Sequence, residues 1–207
     1  MHPPKFLYFD LGNVLVNFDH QLGARQMAEV AGISMEQVWK LVFEGDLLAR
    51  FERGQISRQE FHDAFCQSTG STALLDRLEH AGSSIFEMNH AMLPIVAKLE
   101  DAGQRLGILS NISESHWNYV QQHYSGIFPG AFDVLALSFQ IGSTKPDRSI
   151  YVEAARLAGV SPGDIFYCDD IQANVDGALD AGFDAVLFTT AADYAQELAK
   201  RGVRFNY

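Results

Sequence analysis

Positive charge is scarce in this sequence. Fifteen Lys and Arg stand against 26 Asp and Glu, a formal net charge of -11 over 207 residues. Polyanion binding needs a clustered Lys/Arg surface, so the balance argues against a nucleic-acid partner. It also disfavours docking on anionic membranes. Long hydrophobic runs are missing too. No stretch approaches the roughly 18 apolar residues of a membrane span. The opening segment, MHPPKFLYFD, lacks the longer apolar region and small-residue cleavage site of a signal peptide. Cysteine is nearly absent: Cys66 and Cys168, far apart, make neither a disulfide framework nor a zinc-ligand set. These absences lead to the expectation of a soluble, cytoplasmic protein with reduced thiols and no membrane partner.

What is present is the composition of a folded domain. Hydrophobic residues make up 47% and charged residues 20%, so disorder is disfavoured. The length suits one sizeable core plus a small satellite unit.

Local patterns divide the chain. FLYFD (6–10) reads as a buried strand, broken by Gly12 and Asn13. From about Asp19 to Phe86 only helical signals occur. Ser34-Met-Glu-Gln37 and Ser57-Arg-Gln-Glu60 have the capping-box form. Gly32, Gly54, Gly70 and Gly82 fall between helical patches. Beyond residue 88 strands alternate with helices. RLGILSN (105–111), DVLALS (133–138), IFYCDD (165–170) and DAVLFT (184–189) read as strands. Such alternation predicts βαβ units and a parallel sheet.

In parallel sheets ligands bind at the carboxyl ends of the strands. The polar residues expected there are Asp10, Ser110 with Asn111, Lys145 beyond a strand end, and Asp169 with Asp170. Any one of them alone reads more simply as a cap or turn residue. Together, on one rim, they point to a site.

YFDLGNVLV (8–16), GILSN (107–111), STKPD (143–147) and FYCDDIQANVDGA (166–178) resemble, in order and spacing, the four motifs of the haloacid dehalogenase-like hydrolases. The match covers nearly the whole chain. FERGQIS (51–57) adds a likeness to the subgroup of sugar-phosphate phosphatases (glucose-1-phosphate type) and the phosphatase domain of epoxide hydrolases. The resemblance implies a Rossmann-like α/β core over 1–17 and 88–207, with an all-helical cap over 18–87. It implies a Mg²⁺-dependent phosphatase acting on a small phosphorylated metabolite. The oligomeric state, monomer or dimer, is left open.

The resemblance assigns Asp10 as nucleophile and metal ligand, with Asp170 as the second carboxylate ligand. The Gly12 backbone carbonyl offers a further metal contact. Ser110, Asn111 and Lys145 take the phosphate. Asp169 binds through water or orients Lys145, and Asn174 supports the metal shell or a ligand carboxylate. The chemistry suits those residues. A carboxylate at a strand end can attack phosphorus. Adjacent carboxylates repel until a hard cation relieves them. Lys145 supplies positive charge to a transferring phosphoryl group.

One departure matters. The commonest family pattern has an acid-base Asp two residues after the nucleophile, where this chain has Gly12. Asp19 and His20 are candidate replacements, although Asp19 reads more simply as the N-cap of the first cap helix. Gly12 also keeps two rivals open: a metal-free haloacid dehalogenase, or a binder of phosphometabolites without turnover. His116 and Trp117 follow the second motif and are candidates to face the site, but a surface helix position is the simpler reading. The aromatics Trp39, Phe43, Phe51, Phe61 and Phe65 fit a cap core at helical spacing.

Overall fold

The computed structural model describes residues 3–126 and 130–203; the outermost residues of the expected core lie outside that range. β1 (Phe6–Phe9) is followed by β2 (Val16–Phe18), and five helices come next. These are α1 (His20–Ala31), α2 (Met35–Trp39), α3 (Leu47–Glu52), α4 (Arg58–Thr69) and α5 (Leu75–Ser83), with a π-helical turn at Lys40–Glu44. After β3 (Phe86–Met88), helices and strands alternate: α6 (Leu93–Asp101), β4 (Leu106–Ser110), α7 (Glu114–His123), β5 (Val134–Leu137) and the short α8 (Ser138–Ile141). Then come α9 (Arg148–Ala158), β6 (Ile165–Asp169), α10 (Gln172–Asp180), β7 (Asp184–Leu187) and α11 (Ala191–Lys200).

β5-β4-β1-β6-β7 form one sheet in that order. Every pairing in it is parallel. β1 is central and buried throughout, as expected where helices cover both faces. Its alternation splits the core. Leu7 and Phe9 join Ile108, Phe166 and residues of α6, α7 and α11 such as Val96, Trp117 and Leu198. Phe6 and Tyr8 join Tyr167 and residues of α9 and α10 such as Tyr151, Ala154 and Val175. Full burial of one such side chain contributes about 1.5–3 kcal/mol.

The helices between β2 and β3 bury their own cluster, with Met27, Val38, Phe51, Phe65 and Leu78 inside. Both expected capping boxes form, at Ser34 and Ser57. Asp19 caps α1, its carboxylate accepting from the N–H groups of Gln21 (2.8 Å) and Leu22 (3.1 Å). One feature departs from the sequence reading. Val16–Phe18 and Phe86–Met88 pair as a two-stranded antiparallel ribbon at the ends of the helical segment. Three-residue strands are too short for alternation to reveal.

Candidate active site

The carboxyl ends of β1, β4 and β6 deliver Asp10, Ser110 and Asp169 to one rim. Lys145 arrives from the loop between α8 and α9. Its ammonium lies 2.8 Å from Asp10 Oδ1 and 2.7 Å from Asp169 Oδ2. It also donates to the Leu109 carbonyl (3.2 Å) and the Tyr167 hydroxyl (3.0 Å). Asp10, Lys145 and Asp169 are 6%, 5% and 0% exposed, so water does little to screen these charges.

The carboxylates differ in what remains free. Asp169 is saturated. Tyr167 and Lys145 hold Oδ2, the Ile171 N–H reaches Oδ1 at 2.8 Å, and Asn174 Nδ2 spans both oxygens at 3.0 and 3.1 Å. These donors hold Asp169 below the usual carboxylate range despite its burial. Asp10 Oδ1 takes Lys145 and the Leu11 N–H (2.7 Å), and no hydrogen bond from a described residue reaches Oδ2. Burial raises Asp10 from 3.8 to about 7 against the pull of Lys145, and Asp169 adds to the rise. Asp170 Oδ2 accepts from Asn13 Nδ2 at 2.9 Å; Asn13 sits in the left-handed region at φ 53°.

One oxygen from each of Asp10, Asp169 and Asp170 falls within 4.8 Å of the others. An all-carboxylate set with unsaturated oxygens on Asp10 and Asp170 suits a hard divalent cation.

Two sequence expectations sharpen here. Asn174 is buried against Asp169, so its amide serves a carboxylate. Asn111 spends its side chain on the backbone of Lys145, accepting from the N–H at 2.7 Å and donating to the carbonyl at 3.0 Å. α7 begins only at Glu114, capped by Ser113, three residues beyond Asn111. The Ser110 hydroxyl lies 3.4 Å from the Asn111 carbonyl.

A pocket opens beside this cluster. Gly12, Phe18, His20, Glu52, Ser110 and Asn111 are among its walls, as is His116. His116 therefore faces the site, whereas Trp117 turns into the core. Burial lowers His20, and lowers His116 to about 4. Glu52 and Tyr167 are the residues the sequence reading missed. Tyr167 stands two places before Asp169, on the same face of β6, a period-two signal hidden in an apolar run. Glu52 lies within the FERGQIS segment, which carries a likeness but assigns it no role, and it reaches the rim from α3 across tertiary space.

A parallel α/β sheet that gathers buried carboxylates at its strand ends, with a lysine from the α8–α9 loop between them, is the arrangement of an enzyme site. Residues 5–182 match the model of the haloacid dehalogenase-like hydrolases, and the chain belongs to that family. It is 23% identical over 199 residues to the D-ribitol-5-phosphate phosphatase of Bacteroides thetaiotaomicron, covering 94% of this chain and 96% of that one. A HAD family enzyme of B. thetaiotaomicron, solved with magnesium and inorganic phosphate, superposes with a TM-score of 0.81 at 22% identity. That match covers 94% of this chain and 98% of that one. The L-2-haloacid dehalogenase of Xanthobacter autotrophicus shares the fold more distantly, with a TM-score of 0.63 at 18% identity over 97% and 84% of the two chains. Among the described residues no helix is long and apolar enough to cross a membrane.

Proposed function

We propose that this hydrolase is a Mg²⁺-dependent phosphatase that cleaves a small phosphate monoester, a sugar or sugar-alcohol phosphate, through an aspartyl-phosphate on Asp10. The observation that carries the reading is the division of labour at Asp10. One oxygen is held by Lys145 and Leu11, no hydrogen bond from a described residue reaches the other, and Asp10 and Asp170 bring carboxylate oxygens within 4.8 Å of each other. Asp10 and Asp170, with the Gly12 carbonyl, would hold the cation. When bound, Mg²⁺ supplies positive charge to the phosphate oxygens and to the crowded carboxylates.

Lys145 orients Asp10 and adds charge at the phosphate, aided by the Ser110 hydroxyl and the backbone at Asn111. Asp169 and Asn174 position Lys145. Asp10 attacks phosphorus in line, the alcohol departs, and water hydrolyses the acyl phosphate. Residues 18–87 act as a cap over a core of 1–17 and 88–207. In support, the apolar cluster of the helical segment draws only on residues 24–81. The ribitol phosphate specificity of the relative supports the substrate class. A cytoplasmic setting belongs to the same proposal, and Cys66 and Cys168 are both unpaired.

Phosphate release from sugar phosphates, sugar-alcohol phosphates, nucleotides and phosphoglycolate, with and without Mg²⁺, tests this reading. The expected result is Mg²⁺-dependent turnover that Asp10→Asn abolishes. Chloride release from 2-chloropropionate without metal would instead establish a dehalogenase. Tight phosphate-ester binding with no turnover would establish a binder.

A further inference from the structure

The departing alkoxide needs a proton, and position 12 has no side chain to give one. A Cβ at Gly12 would lie 2.7 Å from Cε1 of Phe18. The Phe18 ring thus fills the space that an acid at position 12 would use. We propose that Glu52, on the helical segment, is the proton donor to the leaving group and later the acceptor of the proton from the attacking water. The inference rests on the phosphatase reading above.

Three observations point to Glu52. First, among the described residues it is the one carboxylate in the walls of the pocket that also exposes Gly12, Ser110 and Asn111. Second, its backbone is fastened to the core. The Ser138 hydroxyl donates to the Glu52 carbonyl at 2.6 Å and accepts from the Ile112 N–H at 2.9 Å. Two residues on, Gly54 has φ +64°, and a Cβ there would come 2.1 Å from the Phe139 carbonyl oxygen. The turn after α3 therefore lies flush against α8, and Glu52 is held at the rim by backbone contact. Third, no hydrogen bond from a described residue is made to the Glu52 carboxylate, so its oxygens are uncommitted.

The surroundings agree. Burial raises Glu52 to about 7, with Arg53 and Lys145 pulling the other way. The other titratable groups lining the pocket are His20 and His116, both lowered by burial. His116 Nε2 already lies 3.2 Å from the Gly82 carbonyl. A carboxyl poised near neutrality suits proton transfer in both directions.

The proton balance closes. Asp10 forms the new P–O bond as the ester P–O bond breaks, and the alkoxide takes the Glu52 proton. Water then attacks phosphorus and passes a proton to the Glu52 carboxylate. Phosphate leaves, and Asp10 is restored.

Leaving-group dependence tests the proposal. D-ribitol 5-phosphate needs protonation of its leaving alkoxide, whereas the phenolate of p-nitrophenyl phosphate departs without it. With Mg²⁺ present, Glu52→Gln should lower kcat/KM about 10²-fold or more on the alkyl ester and much less on the aryl ester, the span expected of general acid catalysis. Glu52→Ala should regain alkyl-ester turnover with added imidazole, which can give and take a proton near neutrality. An equal loss on both esters, no loss on the alkyl ester, or failure of rescue in a folded Ala variant overturns the assignment. If Glu52→Gln does not fold, Glu52→Asp takes its place with the same selective loss expected. Wild-type protein inert toward both esters, and toward the wider screen, would refute the phosphatase reading itself, before any variant is compared.

Discussion

Lys145 Nζ lies 2.7 Å from Oδ2 of Asp169, with both side chains sealed from water. The pair is the anchor of the rim, because the same ammonium reaches Asp10 at 2.8 Å. A buried ion pair loses about 3–5 kcal/mol when one partner is removed, since the other charge is stranded. Asp169→Asn should therefore destabilise the protein by a few kcal/mol in urea unfolding. The retained Asp10 contact keeps the loss toward the lower end. Asn174→Ala should cost about 1.5–3 kcal/mol, the range for a hydrogen bond to a charged group. Wild-type stability in either variant would contradict the network.

Asp10 gives a pH signature. Its carboxyl is raised from 3.8 to about 7, chiefly by burial. The folded chain then holds a proton that the unfolded chain has released between those two values. Unfolding free energy of the metal-free protein should fall as pH rises through that window and level off above it, with a slope of at most about 1.4 kcal/mol per pH unit. Asp10→Asn cannot titrate, so it should lose that slope and gain on wild type at pH 8. Urea midpoints at pH 5 and pH 8 in EDTA make the comparison. Identical pH dependence in the two proteins would show that Asp10 is ionised throughout.

Gly54 couples the helical segment to the core. Its left-handed φ and the 2.1 Å approach of the Phe139 oxygen leave no room for a methyl group. Gly54→Ala should lower thermal stability by more than about 1 kcal/mol, the usual scale for alanine forced into a left-handed conformation. It should also lower kcat/KM, by shifting the turn that carries Glu52. Gly70→Ala is the control. It also has a positive φ, with no atom of a described residue within 4 Å of where its Cβ would lie, so it should lose stability and leave kcat/KM alone.

Much of this was readable along the chain. The strands that carry Asp10, Ser110 and Asp169 are apolar runs ending in polar residues. The caps at Ser34, Ser57 and Asp19 follow from local hydrogen bonding. For Lys145 and Asn174 the contact with a carboxylate stood among the alternatives, and only the fold brings both onto Asp169. Asn111 illustrates the gap. Its position beside Ser110 suggests a phosphate ligand, yet its amide grips the Lys145 backbone, a partner 34 residues away.

Sequence alone determined the parallel α/β class, the helical segment near its start, the four motifs and the empty position at Gly12. Those features depend on periodicity, capping and spacing, which are local. Tertiary structure decided the rest. It saturated Asp169 and left an oxygen of Asp10 without a hydrogen bond from any described residue, filled the space beside Gly12 with Phe18, and set Glu52 at the rim. Each of these depends on which surfaces meet when the helical segment packs on the sheet, and no short window of sequence encodes that meeting.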